Sequence, residues 1–390
     1  MSTAHSERDR RADAEDAGAG SVSGALVRLL RGEIDAVGGW LSFERFMERA
    51  LYAPGLGYYA RPADVAPVFG RGPASGSDFV TAPELSPLFG RALARQVAQA
   101  LALVPGGCIV EFGAGSGALA EQVLDGLASL AVPGLPPPDY AIVDVSGTLR
   151  ARQRERLARF GERVRWLDAW PDRIEGVVLG NEVLDAMPVT LLAFDGARWH
   201  ERGVVWQDGR FAWADRPTDL APPAPGPVPP GYVTELHRQA QGFLRTLADH
   251  LVRGAAFFVD YGFPEAEYYV PSRTGGTLMC HRAHRADPDP LVDVGTKDIT
   301  AHVDFSALAL VAQDAGLEVI GYTSQARFLM NCGLLELLAG ADLRVVAAAQ
   351  KLMTEHEMGE LFKVIGFARG IDFGRGGALG FAAGDRTHTL

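Results

Sequence analysis

The chain is 390 residues long, 47% hydrophobic and 22% charged, a globular composition with length for one large domain or two. Its 37 Lys and Arg against 48 Asp and Glu give a formal net charge of −11, which disfavours nonspecific nucleic-acid binding and mildly favours a basic partner. Cys108, Cys280 and Cys332 lie far apart with no zinc-like spacing, which argues for a reducing compartment and against a metal site.

Residues 1–20 are rich in Arg, Asp, Glu and Ala and hold no apolar stretch. They read as a disordered tail, neither secretory signal nor membrane anchor, and their acidic residues argue against a mitochondrial transit peptide. The expected location is therefore cytoplasmic, with no membrane span. Residues 21–105 read as an N-terminal helical region. Ala25, Leu26, Leu29 and Leu30 recur at helical spacing, and a second helix runs from Ser42 through Phe43, Phe46 and Met47 to Ala50. The aromatic stretch from Leu51 to Ala60 is either a loop packed by tyrosines or part of a substrate wall. Gly and Pro over 61–77 predict a loop. The segment from Asp78 to Pro87 then leads into an amphipathic helix over 88–103, with Leu88, Phe89, Leu93, Val97 and Leu101 on one face.

The stretch from Cys108 to Leu119 reads as strand, tight turn and helix start: a short apolar run, Glu111, then glycines at 113, 115 and 117. Glycine suits a backbone that must bend sharply and approach a ligand, and the following helix offers free N–H groups at its start. Gly113-x-Gly115-x-x-Ala118 also satisfies the dinucleotide pattern, so a nicotinamide-dependent oxidoreductase is the alternative. A carboxylate at Glu111 suits a cation better than a pyrophosphate, and S-adenosyl-L-methionine carries both a sulfonium and an ammonium.

A second strand over 140–144 ends in Asp144, which either takes ribose hydroxyls or is simply solvated. A charged helix over 149–160 and a third strand over 163–167 follow, with Asp168 where an adenine edge would lie. The apolar strand over 176–180 delivers Asn181, Glu182 and Asp185 to the carboxyl edge of the sheet, where open α/β sheets bind ligands. Glu182 and Asp185 otherwise cap the next helix. Alternating segments over 189–194, 199–206 and 211–214 predict an inserted antiparallel meander, and the prolines of 217–230 a surface loop. A helix is expected over 233–251 and a fifth strand over 255–260. From 264 to 303 periodicity is poor but polar residues are dense, which predicts a lid or a partner-binding surface. His281 and His284 could be metal ligands there, but Arg282 and Arg285 beside them argue against a cation. The chain closes with a helix over 305–314, a strand over 317–322, helices over 334–349 and a strand over 362–367.

Several short motifs recur in order: Leu51-Tyr52-x-Pro54-x-x-Gly57-Tyr58-Tyr59, Asp78-Phe79-x-Thr81-Ala82-Pro83-Glu84, Glu111-x-Gly113-x-Gly115-x-Gly117, Asn181-Glu182-x-Leu184-Asp185-Ala186, Asp260-Tyr261-Gly262, Gly276-Thr277-Leu278, and Asp298 through Phe305. Together they resemble the MidA-type family, which includes the mitochondrial complex I assembly methyltransferases and proteobacterial relatives. The similarity covers nearly the whole chain after about residue 25. It implies an α/β, Rossmann-like, seven-stranded methyltransferase sheet over 106–390, with insertions at about 189–232 and 262–304. It also implies S-adenosyl-L-methionine as cofactor and arginine methylation on a protein substrate, a complex I subunit. Where the family has glutamate after the second strand, this chain has Asp144, one methylene shorter.

The expected cofactor set is Glu111 on the methionine ammonium, Gly113, Gly115 and Gly117 for close backbone approach, Asp144 on the ribose, Asp168 on the adenine amino group, and Asn181. An arginine acceptor stays protonated, so carboxylates must hold it. Glu182 and Asp185 are the first choices, with His302 and Asp304 as helpers from the late loop. No metal is expected, and self-association into a homodimer stays open. A cofactor-binding complex I assembly factor with little catalysis is the reading from another class.

Overall fold

The computed structural model describes residues 22–62, 80–223 and 226–390. The expectations for the tail over 1–20, for most of the loop over 61–77 and for Asp78 and Phe79 lie outside those residues.

A helix over 22–36 leads to the two-residue strand β1 (Leu41–Ser42) and the helix Phe43–Tyr52, where the Ser42 hydroxyl accepts the Arg45 N–H as N-cap. Phe43, Phe46, Met47, Ala50 and Leu51 form its buried stripe. After the short helix Ala82–Leu85 and the long helix Leu88–Ala102, the chain enters β2 (Cys108–Phe112), then the helix Ala118–Leu130. β3 (Tyr140–Val143), the helix Gly147–Leu157, β4 (Val164–Leu167) and β5 (Ile174–Asn181) complete one half of a parallel sheet. Next comes an inserted antiparallel group: β6 (Thr190–Phe194), β7 (Trp199–Gln207), β8 (Arg210–Pro217) and β9 (Val233–Leu236). The helix Arg238–His250 leads back to β10 (Leu251–Phe263). A small sheet follows, of β11 (Met279–Arg282), β12 (Arg285–Asp287) and β13 (Asp298–Thr300). β14 (Val303–Asp304), the helix Phe305–Asp314, β15 (Glu318–Ser324), three short helices and β16 (Phe362–Arg369) finish the core.

The core sheet runs β4-β3-β2-β5-β10-β16-β15, with β14 added beside β10. The pairs from β4 to β10 are parallel, and only β16 runs against both its neighbours. Neighbouring residues on β2 face opposite layers. Ile109 packs with Leu93, Leu119 and Val123 on one side, while Val110 packs with Leu244, Leu247 and Leu308 on the other. Helices therefore cover both faces, which is why the middles of β5 and β10, over 176–180 and 254–259, read as unbroken apolar runs. A third core joins the N-terminal helices to the inserted sheet and to the small sheet through Leu26, Phe46, Leu191, Val204 and, on β13, Ile299, and β1 pairs with β7.

Two segments differ from expectation. The helix expected over 233–251 begins only at Arg238, because Val233–Leu236 pairs with β6 as a strand and its β-branched Val233 and Thr234 suit that pleated surface. The irregular stretch over 264–303 contains the β11–β12 hairpin, turned by Ala283 and His284 at φ 50 and 60. Both turn residues sit in the left-handed region that such two-residue turns demand, without the Asn or Gly that announces one in a sequence.

Candidate functional site

The turn after β2 lies at the switch point of the sheet, where β3 leaves on one side and β5 on the other, so the strand ends part to leave a crevice. Gly113, Gly115 and Gly117 all have left-handed backbone, at φ 63, 54 and 81. A Cβ on Gly113 would stand 3.0 Å from the Val183 side chain, on top of the strain of its φ. The turn opens into a cavity of about 1290 Å³. Glu111, Gly113, Gly115, Asp144, Asn181, Glu182 and Asp185 all line it.

Glu111 is 2% exposed and accepts a hydrogen bond from the Tyr140 hydroxyl at 2.7 Å. Burial pushes its carboxyl up to about 8, against the pull of Tyr140 and with a further push from Asp144. Asp144 is buried; its carboxylate accepts from the Ser146 N–H at 2.9 Å and the Gln153 amide at 2.7 Å. The same Gln153 amide donates to the Gly115 carbonyl at 2.9 Å, so the second acidic strand end is tied to the glycine turn. Burial raises the Asp144 carboxyl.

The loop after β5 is shaped by Asp260, at the end of β10 and 1% exposed. One of its oxygens accepts the N–H groups of Val183, Leu184 and Asp185 at 3.2, 2.9 and 3.3 Å, and the other accepts the Tyr261 N–H. The loop so held places Glu182 at φ 53, a costly conformation for a residue with a Cβ. Its carboxylate accepts from the Asn181 side chain at 2.9 Å and the Ala82 N–H at 3.4 Å. Burial, and then the Asp185 charge, push Glu182 up to about 8. Asp185 accepts the Tyr261 hydroxyl at 2.5 Å; its own carboxyl is raised by burial, against that hydrogen bond. No helix follows Asp185 for either residue to cap.

Asp168, His302 and Asp304 are not brought to this cavity. The Asp168 side chain is 94% exposed and pairs with Arg150 at 2.5 Å, and it is Trp170, packed on Phe112 at 4.3 Å, that lines the wall nearby. His302 stacks on Phe263 at 5.2 Å, and burial, then Arg273, lower its imidazole to about 4, so it is neutral near pH 7. Asp304 caps the helix Phe305–Asp314, accepting the Ala307 N–H at 3.0 Å and the Tyr269 hydroxyl at 2.9 Å. Gly117 is the N-cap of the helix Ala118–Leu130, one step behind the lining.

Tyr52 and Tyr59, from the aromatic stretch with a substrate wall as one of its two readings, line the cavity together with Asp298, from the irregular stretch, and Tyr261, which the sequence left without a role. The Tyr52 ring stacks on Tyr59 at 5.7 Å and its hydroxyl donates to the Ala186 carbonyl at 2.8 Å. Their motifs were visible, but nothing local says that residues so far apart in sequence share one wall.

Two buried oxygens, Asn181 Oδ1 and Asp185 Oδ1, have no hydrogen-bond partner among the described residues. Both are acceptors on the cavity wall, so what they lack is a donor. An aminoacyl cofactor beside the glycine turn, and a donor-rich acceptor beyond it, fit that need. Among the described residues no group of His, Cys, Asp or Glu could hold a metal ion, and no helix is long and apolar enough to cross a membrane.

A parallel sheet with one reversed strand, a glycine turn after β2 and acidic strand ends around one cavity define an S-adenosyl-L-methionine-dependent methyltransferase. Residues 92–323 match the family described as "Putative S-adenosyl-L-methionine-dependent methyltransferase", and the chain belongs to that family. It is 53% identical to a COG1565 superfamily protein from Burkholderia thailandensis bound to S-adenosyl-homocysteine, with a TM-score of 0.89 over 96% of this chain and 98% of that one. Among curated relatives it is 26% identical to "Protein arginine methyltransferase NDUFAF7 homolog, mitochondrial" of Caenorhabditis elegans, over 90% of this chain and 89% of that protein. The Drosophila melanogaster homolog of the same name is 27% identical over 90% and 86%.

The cofactor supplies an electrophilic methyl group on a sulfonium. Glu111 and the turn at Gly113 and Gly115 would hold its aminoacyl end, and Asp144 its ribose.

Proposed function

We propose that the chain transfers this methyl group to an arginine of a protein partner, a subunit of respiratory complex I, and that it does so in the cytoplasm. The observation that carries the reading is the pair Glu182 and Asp185 on the cavity wall, with Asp185 oriented by Tyr261 and keeping one unpartnered oxygen. A guanidinium presents several N–H donors in a fork that matches a carboxylate edge. Tyr52, Tyr59 and Tyr261 supply aromatic walls suited to a cation. Methyl transfer needs an in-line approach in a site that excludes water, then removal of a proton from the methylated nitrogen. Asp185 fixes the guanidinium, whose positive charge favours the ionised form of Glu182 against burial, and that carboxylate takes the proton. The names of the curated relatives support arginine as acceptor.

The test is incubation of the purified protein with methyl-labelled cofactor and separated complex I subunits, read by mass spectrometry. Methylarginine on one subunit, absent with the Asp185→Asn variant, is expected; methyl groups only on other residue types would overturn the arginine assignment. Fractionation of cells bearing a tagged chain checks the compartment.

A further inference from the structure

The segment that includes Thr81, Ala82, Pro83 and Glu84 lies across the glycine turn, far from it in sequence, and only its Ala82 N–H has a part in the functional reading so far. Thr81 and Pro83 line the cavity. Glu84 does not, yet it is only 9% exposed, an expensive place for a carboxylate that lacks partners. Its partners are specific. The Ser116 hydroxyl, within the turn itself, donates to Glu84. Arg156 donates from one Nη to Glu84 at 3.1 Å and to Ser116 at 2.9 Å, closing a three-membered cluster. Arg156 belongs to the helix Gly147–Leu157, which also carries Gln153, the partner of Asp144.

Two further bonds hold the same segment. Gln122, on the helix that follows the turn, donates to the Pro83 carbonyl at 2.7 Å while accepting the Gly90 N–H at 3.0 Å. At the other end, the Ala82 N–H donates to Glu182 at 3.4 Å. One short strap thus touches the cofactor turn at Ser116 and the acceptor side of the cavity at Glu182.

We propose that Glu84 is a positioning residue for the cofactor: through Ser116 and Arg156 it clasps the strap onto the glycine turn, closing the cofactor site and presenting the Ala82 N–H to Glu182. The link to Ser116 stands on the cofactor site alone; only the link to Glu182 rests on the proposed acceptor. Neither Glu84 nor Arg156 lines the cavity, so any effect of changing them on cofactor affinity must travel through the strap.

The experiment measures S-adenosyl-homocysteine affinity by calorimetry, and hydrogen exchange of the amides of 81–85 with and without that ligand, in the parent chain, Glu84→Gln, Arg156→Met and the double variant. Ligand-dependent protection of the strap is expected in the parent and lost in both single variants, with affinity weakened roughly tenfold, as for loss of a charge-assisted hydrogen bond. The double variant is expected to be no worse than either single one, and Arg156→Lys to recover part of the affinity. Arg156 is one-third exposed, so its variant reads the same quantities should Glu84→Gln fail to fold. A lower melting temperature with unchanged affinity and protection would reduce the cluster to packing and overturn the proposal. Both readouts are independent of the acceptor, so a failed arginine assay leaves this result standing, and the converse also holds.

Discussion

At the scale of single residues, the site is governed by carboxyl groups whose pKa burial raises. Glu111, raised to about 8, still carries its proton when folded at pH values where the unfolded chain has released it. Its contribution to stability is therefore fully present below the ordinary carboxylate range and is lost as the pH rises to about 8. An ammonium ligand needs the ionised form, so affinity for S-adenosyl-homocysteine is expected to increase as pH passes through about 8. Calorimetry across that range checks this, and Glu111→Gln should flatten the profile. Gly113→Val should abolish cofactor binding, since φ 63 and the 3.0 Å approach of Val183 leave no place for the side chain. Tyr261→Phe removes the donor that orients Asp185. Methyl transfer should fall about tenfold or more while cofactor affinity stays level, a loss of positioning rather than of binding.

At the scale of elements, the structure separates residues that support the site from those that face it. Asp304 stands in a motif beside other polar residues, yet it serves the start of a helix. Asp304→Ala should cost about 1–2 kcal/mol in urea unfolding, typical of a lost N-cap, with unchanged affinity for S-adenosyl-homocysteine. What was legible in the sequence follows the same division. The glycine turn, the apolar strands beside it and the acidic residues at their ends declare themselves locally, because backbone sterics and the period of burial are written in adjacent residues. Three other features depend on partners distant in the chain. The β11–β12 hairpin turns on Ala283 and His284, which carry no turn signal. β9 is a strand only because β6 lies beside it. Asp260 looked like a strand end, and its work of gathering three amides needs the loop after β5 to be in place.

At the scale of the whole molecule, the sheet couples the site to global stability. The glycine turn grows out of β2, inside the sheet, and the loop of Glu182 and Asp185 out of β5 beside it. A ligand that binds only this folded arrangement should stabilise the entire chain, by about 2.7 kcal/mol when present at a hundred times its dissociation constant. A thermal or urea titration with S-adenosyl-homocysteine checks that magnitude; Gly113→Val should show none of it.

The spread of the cavity lining along the chain has a consequence for how the protein comes into being. The donor side of the cavity is assembled from neighbouring stretches around 111–119 and 143–149, whereas the opposite wall draws on Glu44 to Tyr59, Tyr261, Asp298, Thr300 and finally Phe362. During translation the stretches around 111–149 emerge between the two parts of the opposite wall, whose last panel, Phe362, arrives with the closing strand of the sheet. A half-made chain lacks β10, β15 and β16, so the sheet that carries the glycine turn, and the cavity beside it, are complete only when the last strand has been made.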